Sequence, residues 1–236
     1  MTMAGSGNPQ RAIGILGGMG PEATVELMRQ IIRRTPAQDD GDHVRMLVDN
    51  NPKVPSRIAF LLEGGAVDPT AKLVEMARGL EASGATVLAM ACNTAHAFAP
   101  AIRGAVSIPF VDMIDAALAD VRAATGAEIV RFGVLGSPAL RRIGVIDERC
   151  RETALEPVYG DTDSETSALG IIRAVKSAGV GPDVLRAYVE LQQHLRDRGA
   201  DIVLVCCTEF SVLEERLTNP HPKTLDSMAS LVTRLL

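Results

Sequence analysis

Short apolar runs alternate along the chain with amphipathic stretches of helical length. Ala12–Leu16 is continuously apolar, is closed by Gly17-Gly18-Met19-Gly20-Pro21, and is followed by a helical pattern from Glu22. A strand, a glycine turn and a helix opened by proline make the first βα step of a doubly wound sheet, because proline's fixed φ and missing N–H suit a helix start. Val44–Val48 reads as the next strand, and Pro52 and Pro55 keep the polar loop Asp49–Arg57 out of regular pairing. Asp68–Ser83 carries apolar residues at helical spacing and stops at Gly84. Thr86–Met90 is β-rich and almost wholly apolar, as a central parallel strand covered on both faces should be. Further strands are predicted at Val130–Leu135 and Ile202–Val205, with helices at Ile114–Ala124, Ser164–Ala178 and Pro182–Arg198. Alternation of these lengths predicts an α/β fold with parallel sheet. Residues 1–10 are aperiodic and rich in Gly, Ser and Pro, the pattern of a disordered leader.

The pattern repeats within the chain. Gly14-Ile15-Leu16-Gly17-Gly18 is echoed by Gly133-Val134-Leu135-Gly136-Ser137, 119 residues later. Gly84–Cys92 (GATVLAMAC) is echoed by Gly199–Cys207 (GADIVLVCC), 115 residues later. Two echoes in the same order at nearly the same offset point to an internal duplication. Two like lobes would set their strand ends toward each other, and ligands of such sheets bind beyond the carboxyl ends of the strands. The repeat places Cys92 and Cys207 at equivalent strand ends.

Composition narrows the partners. Hydrophobic residues are 47% and charged residues 22% of 236, enough for a packed core and against general disorder. Aromatics are 3%, too few for a base-stacking surface, and the net charge of −5 offers no basic stripe to a phosphate backbone. No apolar stretch approaches the roughly 20 residues of a membrane span. Neither nucleic acid nor membrane is an expected partner. No apolar signal segment opens the sequence, so the expected compartment is the cytoplasm, where thiols stay reduced.

A thiol just past a strand, with a helix following, faces the unpaired N–H groups of that helix's first turn, which favour the thiolate. Cys92 is followed by Asn93-Thr94-Ala95-His96 and Cys207 by Thr208-Glu209-Phe210-Ser211, small hydrogen-bonding side chains suited to a carboxylate or an amine. Paired thiols suit removal of a proton from one face of a carbon and delivery of another to the opposite face, each acting as base in one direction and acid in the other. The plain alternative is that both cysteines are core, since cysteine is among the most buried residue types; their matched positions argue against it. Cys92 and His96, four apart, would share a helix face as a metal pair, but no C-x-x-C or H-E-x-x-H supports a zinc site. Cys206 points to the other side of its strand, and Cys150 carries no assigned role. The Gly17–Gly20 turn matches a dinucleotide fingerprint poorly and reads either as a tight turn or as a loop meeting a small carboxylate. Arg57, in a loop stiffened by proline, is either a solvated surface arginine or a fork for a carboxylate.

At these residues the sequence resembles the aspartate/glutamate racemase family, most closely its cofactor-independent aspartate racemases. The resemblance lies in Gly14–Thr24 (GILGGMGPEAT), Asn50-Asn51-Pro52 through Arg57, Cys92-Asn93-Thr94-Ala95-His96 and Cys207-Thr208-Glu209, and it covers nearly the whole chain after the leader. It implies two pseudo-symmetric Rossmann-like (flavodoxin-like) α/β domains with parallel sheets and the active site between them. The first would take residues 11–108 plus 220–236, with the last helix returning to it, and the second 109–219. It further implies a homodimer that uses neither pyridoxal phosphate nor metal and takes a small dicarboxylic amino acid. By the same carry-over Cys92 and Cys207 are the catalytic thiols. Asn93, Thr94 and Thr208 bind the α-carboxylate and amino group, with Glu209 nearby. Arg57 and Lys176 hold the side-chain carboxylate, and Met19 and Asn51 line the pocket. Two departures from the family pattern stand out. Ser137 to Arg142 (SPALRR) replaces a Thr-rich turn, keeping one hydroxyl at Ser137 but putting Leu140 where a Thr is usual, and Cys206 replaces a common glycine. Other reactions on this scaffold (maleate isomerisation, decarboxylation, hydantoin racemisation) and non-catalytic binding of a small acid are the alternatives.

Overall fold

A parallel strand covered on both faces has to be apolar along its length, and Ala12–Gly17 is buried at every position. This strand is β1 in the computed structural model, which describes residues 11–64, 67–125, 128–221 and 223–236, the side chains of residues 176 and 178 excepted. The leader expected over residues 1–10 lies outside the described residues. The chain continues through α1 (Pro21–Arg34), β2 (Arg45–Asn50), α2 (Arg57–Glu63), α3 (Thr70–Ala82), β3 (Val87–Met90), a 3-10 helix at Asn93–Phe98, α4 (Ala99–Arg103), β4 (Phe110–Val111) and α5 (Met113–Ala123). The second half runs β5 (Val130–Gly136), α6 (Ala139–Ile143), α7 (Val145–Cys150), β6 (Leu155–Val158), α8 (Thr162–Ala178), α9 (Pro182–Asp197), β7 (Ile202–Cys206), α10 (Thr208–Glu214), β8 (Thr224–Asp226) and α11 (Ser227–Leu235).

The strands form two parallel four-stranded sheets, ordered β2-β1-β3-β4 and β6-β5-β7-β8, so the second sheet repeats the first. This is the expected α/β architecture of two like lobes. The echoed glycines have the same packing reason in both. A Cβ on Gly14 would lie 2.8 Å from the Ala85 Cβ and 3.3 Å from Leu80 on α3, and one on Gly133 would lie 2.9 Å from Leu195 on α9 and 3.3 Å from Ala200. Each glycine lets the helix before the next strand sit close to its sheet.

The chain passes between lobes after Val111 and again after Asp226. Strand β4 pairs with β3, and β8 with β7, before either crossing. The helices that follow are exchanged. In α5, Ile114, Ala117, Leu118 and Val121 pack with Val130, Phe132 and Val134 of the second lobe. In α11, Met228, Leu231, Val232 and Leu235 pack with Ile13, Ile15, Leu27 and Ile31 of the first. The two exchanged helices touch each other. Among the described residues no helix is long and apolar enough to cross a membrane.

Candidate active site

β3 and β7 hold the same place in their sheets, each between the lobe's first strand and its short edge strand. Cys92 follows β3 and caps the 3-10 helix with extended backbone (φ −155°, ψ 105°); Cys207 follows β7 and caps α10 likewise (φ −149°, ψ 130°). Both cysteines line one cleft of about 340 Å³ between the lobes. Met19, Arg57, Asn93 and Thr94 reach it from the first lobe, and Ser137, Thr208 and Glu209 from the second.

The two thiols have different neighbours. Cys207 Sγ donates to Glu209 Oε2 at 2.8 Å, and Thr208 Oγ1 lies 3.5 Å from the same oxygen. Cys92 Sγ lies 3.4 Å from Thr94 Oγ1. Asn93 donates through Nδ2 to Ser227 Oγ at 3.3 Å on α11, while its Oδ1 is buried without a protein partner among the described residues. Cys206 also borders the cleft, but it is packed into the second-lobe core, and burial pushes its thiol far above the usual range. Burial likewise raises the Cys150 thiol to about 11. Neither is poised to ionise near neutrality.

Arg57 is the first residue of α2 rather than part of a loop, because Ser56 caps that helix through Ala59 N–H. Its guanidinium donates to the carbonyls of Pro55 (3.1 Å), Val54 (3.4 Å) and Met19 (3.3 Å), fastening the β2–α2 loop to the β1–α1 turn. Its Nε is buried and unpaired, and no ion pair engages it among the described residues. The turn it fastens needs a glycine. Gly18 has φ +89°, and a Cβ there would stand 2.2 Å from the Asn51 carbonyl carbon.

That close approach involves Asn51, expected to line the pocket. Its backbone abuts Gly18, and its Oδ1 accepts from Lys53 N–H at 3.0 Å. The Lys176 side chain lies outside the described residues. His96 turns away from the cleft into the interior, fully buried, and the described residues contain no cluster of His, Cys, Asp and Glu able to hold a metal. Leu140 on α6 is buried in the same wall, and sequence reasoning missed Ile58 on α2 and Leu169, Ile172 and exposed Arg173 on α8. The departure at Leu140 was visible as a change of residue. The α8 face was not, because helical periodicity says which side of a helix is apolar and not which cleft it borders.

Two like parallel-sheet lobes that close on one small cleft, each ending its central strand in a cysteine, make an enzyme scaffold that addresses a small molecule from two sides. A family model for Asp/Glu/Hydantoin racemase matches residues 16–235. The aspartate racemase of Picrophilus torridus is 28% identical, and its structure superposes with a TM-score of 0.76 over 95% of this chain and 92% of that one. A glutamate racemase of Francisella tularensis, solved with D-glutamate, is 15% identical with a TM-score of 0.64 over 96% and 80% of the two chains, a likeness of fold. The broad specificity amino-acid racemase RacX of Bacillus subtilis is 23% identical over 231 residues, 93% of this chain and 94% of that protein. The chain belongs to the Asp/Glu/hydantoin racemase family and is an isomerase of the racemase kind.

Proposed function

We propose that the chain racemises a small acidic amino acid, aspartate first and glutamate next, by passing the α-proton between Cys92 and Cys207 without a cofactor. One cysteine, as thiolate, takes the α-proton and becomes a thiol, leaving the electron pair on the α-carbon. The other thiol gives its proton to the opposite face and is left as thiolate, so the pair ends with its protonation exchanged. The observation that carries this reading is the placement of the two thiols on opposite lobes of one cleft. Asn93, Thr94 and Thr208 stand next to the thiols as donors for the α-carboxylate, where fixed donors stabilise charge developing at the carbon. Among the described residues Arg57 and Arg173 border the cleft with one carboxylate, Glu209, a balance that suits an anionic substrate.

Proton NMR in D₂O with reduced protein and no added cofactor tests it. Loss of the L-aspartate α-proton signal, with D-aspartate appearing on a chiral column, is expected. No exchange with aspartate or glutamate would sink the proposal.

A broader substrate range is the second reading, favoured by the apolar wall of Leu140, Leu169 and Ile172 and by the name of the Bacillus subtilis relative. Leu140→Thr is expected to shift kcat/KM toward aspartate over leucine by about tenfold, the discrimination a few apolar groups supply. An unchanged ratio would remove Leu140 from specificity.

A further inference from the structure

His96 is fully buried behind Cys92, and its ring makes two short bonds to the backbone. Nδ1 lies 2.8 Å from the Cys92 carbonyl oxygen and Nε2 lies 3.0 Å from the Met113 N–H. A backbone N–H only donates, so Nε2 is the acceptor nitrogen and Nδ1 carries the proton that goes to the Cys92 carbonyl. One neutral tautomer satisfies both contacts. Burial agrees, holding the imidazole below its ordinary range against the pull of Asp112.

The ring therefore ties the strand end that bears Cys92 to the start of α5, the helix that crosses to the second lobe. The tie continues outward. Asp112 caps α5 by accepting from the N–H groups of Ile114 (2.9 Å) and Asp115 (3.2 Å), and its other oxygen accepts from Arg149 of the second lobe at 2.9 Å and from Arg103 at 3.2 Å. Arg149 also donates to the His96 carbonyl at 3.3 Å. In the second lobe the place four residues after the cysteine belongs to Ser211. Its Oγ lies 3.4 Å from the Cys207 carbonyl oxygen and 3.0 Å from Oδ1 of Asp226, the cap of α11. The two lobes repeat the device with different chemistry: cysteine, a side chain four residues on that reaches back to its carbonyl, and an aspartate cap at the next crossing helix.

We infer that His96 is a positioning residue for Cys92, fixing the peptide plane that aims its thiol into the cleft, and that Ser211 does the same for Cys207. The inference rests on the reading of these two cysteines as the acid/base pair, but its test does not need turnover. The expected signature is selective, because each prop touches the carbonyl of one cysteine only.

Site-resolved alkylation by iodoacetamide, read by mass spectrometry on the substrate-free protein, reports each thiol separately. His96→Leu keeps the volume but removes the donor, and is expected to slow alkylation of Cys92 at least fivefold while changing Cys207 less than twofold. His96→Asn, which returns an N–H near the Nδ1 position, is expected to recover most of that loss. Ser211→Ala is expected to slow Cys207 about threefold and spare Cys92, with Ser211→Thr close to wild type. In racemisation assays His96→Leu should lower kcat at least tenfold with KM changed less than threefold. Equal effects on both thiols, an unaffected Cys92, or His96→Asn no better than His96→Leu would overturn the inference. Should thermal melting show His96→Leu unfolded, His96→Asn and the Ser211 pair decide: Ser211→Ala must move Cys207 alone, and His96→Asn must leave Cys92 within threefold of wild type. Selective alkylation effects without racemisation in the wild type would uphold the positioning role and refute the racemase reading.

Discussion

Cys92 and Cys207 share a backbone setting but not a partner. The carboxylate of Glu209 accepts from the Cys207 thiol, whereas Cys92 meets a threonine hydroxyl that is able to donate to a thiolate. The proposed two-thiol exchange needs one sulfur ionised and one protonated at the start of each turnover. Cys92→Ala and Cys207→Ala are each expected to lower racemisation by about 10³-fold, within the range of a lost acid or base. Both should melt within a few degrees of wild type, because neither side chain bridges the lobes covalently. Near-full turnover in either variant, followed by chiral chromatography, would refute two-base catalysis. The motif was legible here because the thiols and their hydroxyl neighbours are adjacent in sequence. The bonds of the Arg57 guanidinium to backbone carbonyls were not, because those carbonyls come from two separate turns.

At the scale of elements, the same helix cap is used twice under opposite electrostatics. Asp112 caps α5 and Asp226 caps α11, each at the crossing from one lobe to the other. Burial would raise both, but Arg149 beside Asp112 holds that carboxyl below its usual value. Among the described residues no such cation pairs with Asp226, which is pushed up to about 6, mainly by burial and with a smaller contribution from Glu214. A carboxyl moved from 3.8 to about 6 binds its proton more tightly in the folded chain than in the unfolded one. Its share of stability is therefore fully present below about pH 4 and is lost as pH rises through 6, a cost on the order of 3 kcal/mol at neutral pH. Asp226→Asn keeps an acceptor for Met228 N–H and Ser211 Oγ and removes the charge. Urea unfolding should find the variant more stable than wild type at pH 8, with the difference shrinking to about a third by pH 4.5; parallel pH slopes would contradict the argument. These caps were not evident in the sequence, because β4 and β8 are two and three residues long and too short to show a period.

For the whole molecule, the cleft depends on how the lobes are held together. The exchanged helices α5 and α11 supply the apolar part of that hold, and Arg149 supplies a polar pin. From α7 it donates to Asp112 and Asp115 at 2.9 Å each and to the His96 carbonyl at 3.3 Å. Arg149→Met keeps the aliphatic stem and removes these bonds. Hydrogen bonds to charged groups contribute about 1.5–3 kcal/mol each, and Arg103 remains on Asp112, so a net loss of about 2 kcal/mol is expected in denaturant unfolding. A variant as stable as wild type would show that the pin is solvated rather than structural.

The sequence by itself determined the alternation of strands and helices, the two-lobed repeat and the placing of one cysteine after each central strand. Those features follow from hydrophobic period and from residues that are neighbours along the chain. Tertiary structure decided which sheet each crossing helix covers, that Leu140, Leu169 and Ile172 form one wall of the cleft, and that His96 faces the interior. It also set the Asn51 backbone against Gly18. In each case the partner lies tens of residues away, and a contact of that kind exists only once burial of the two cores has brought the segments together.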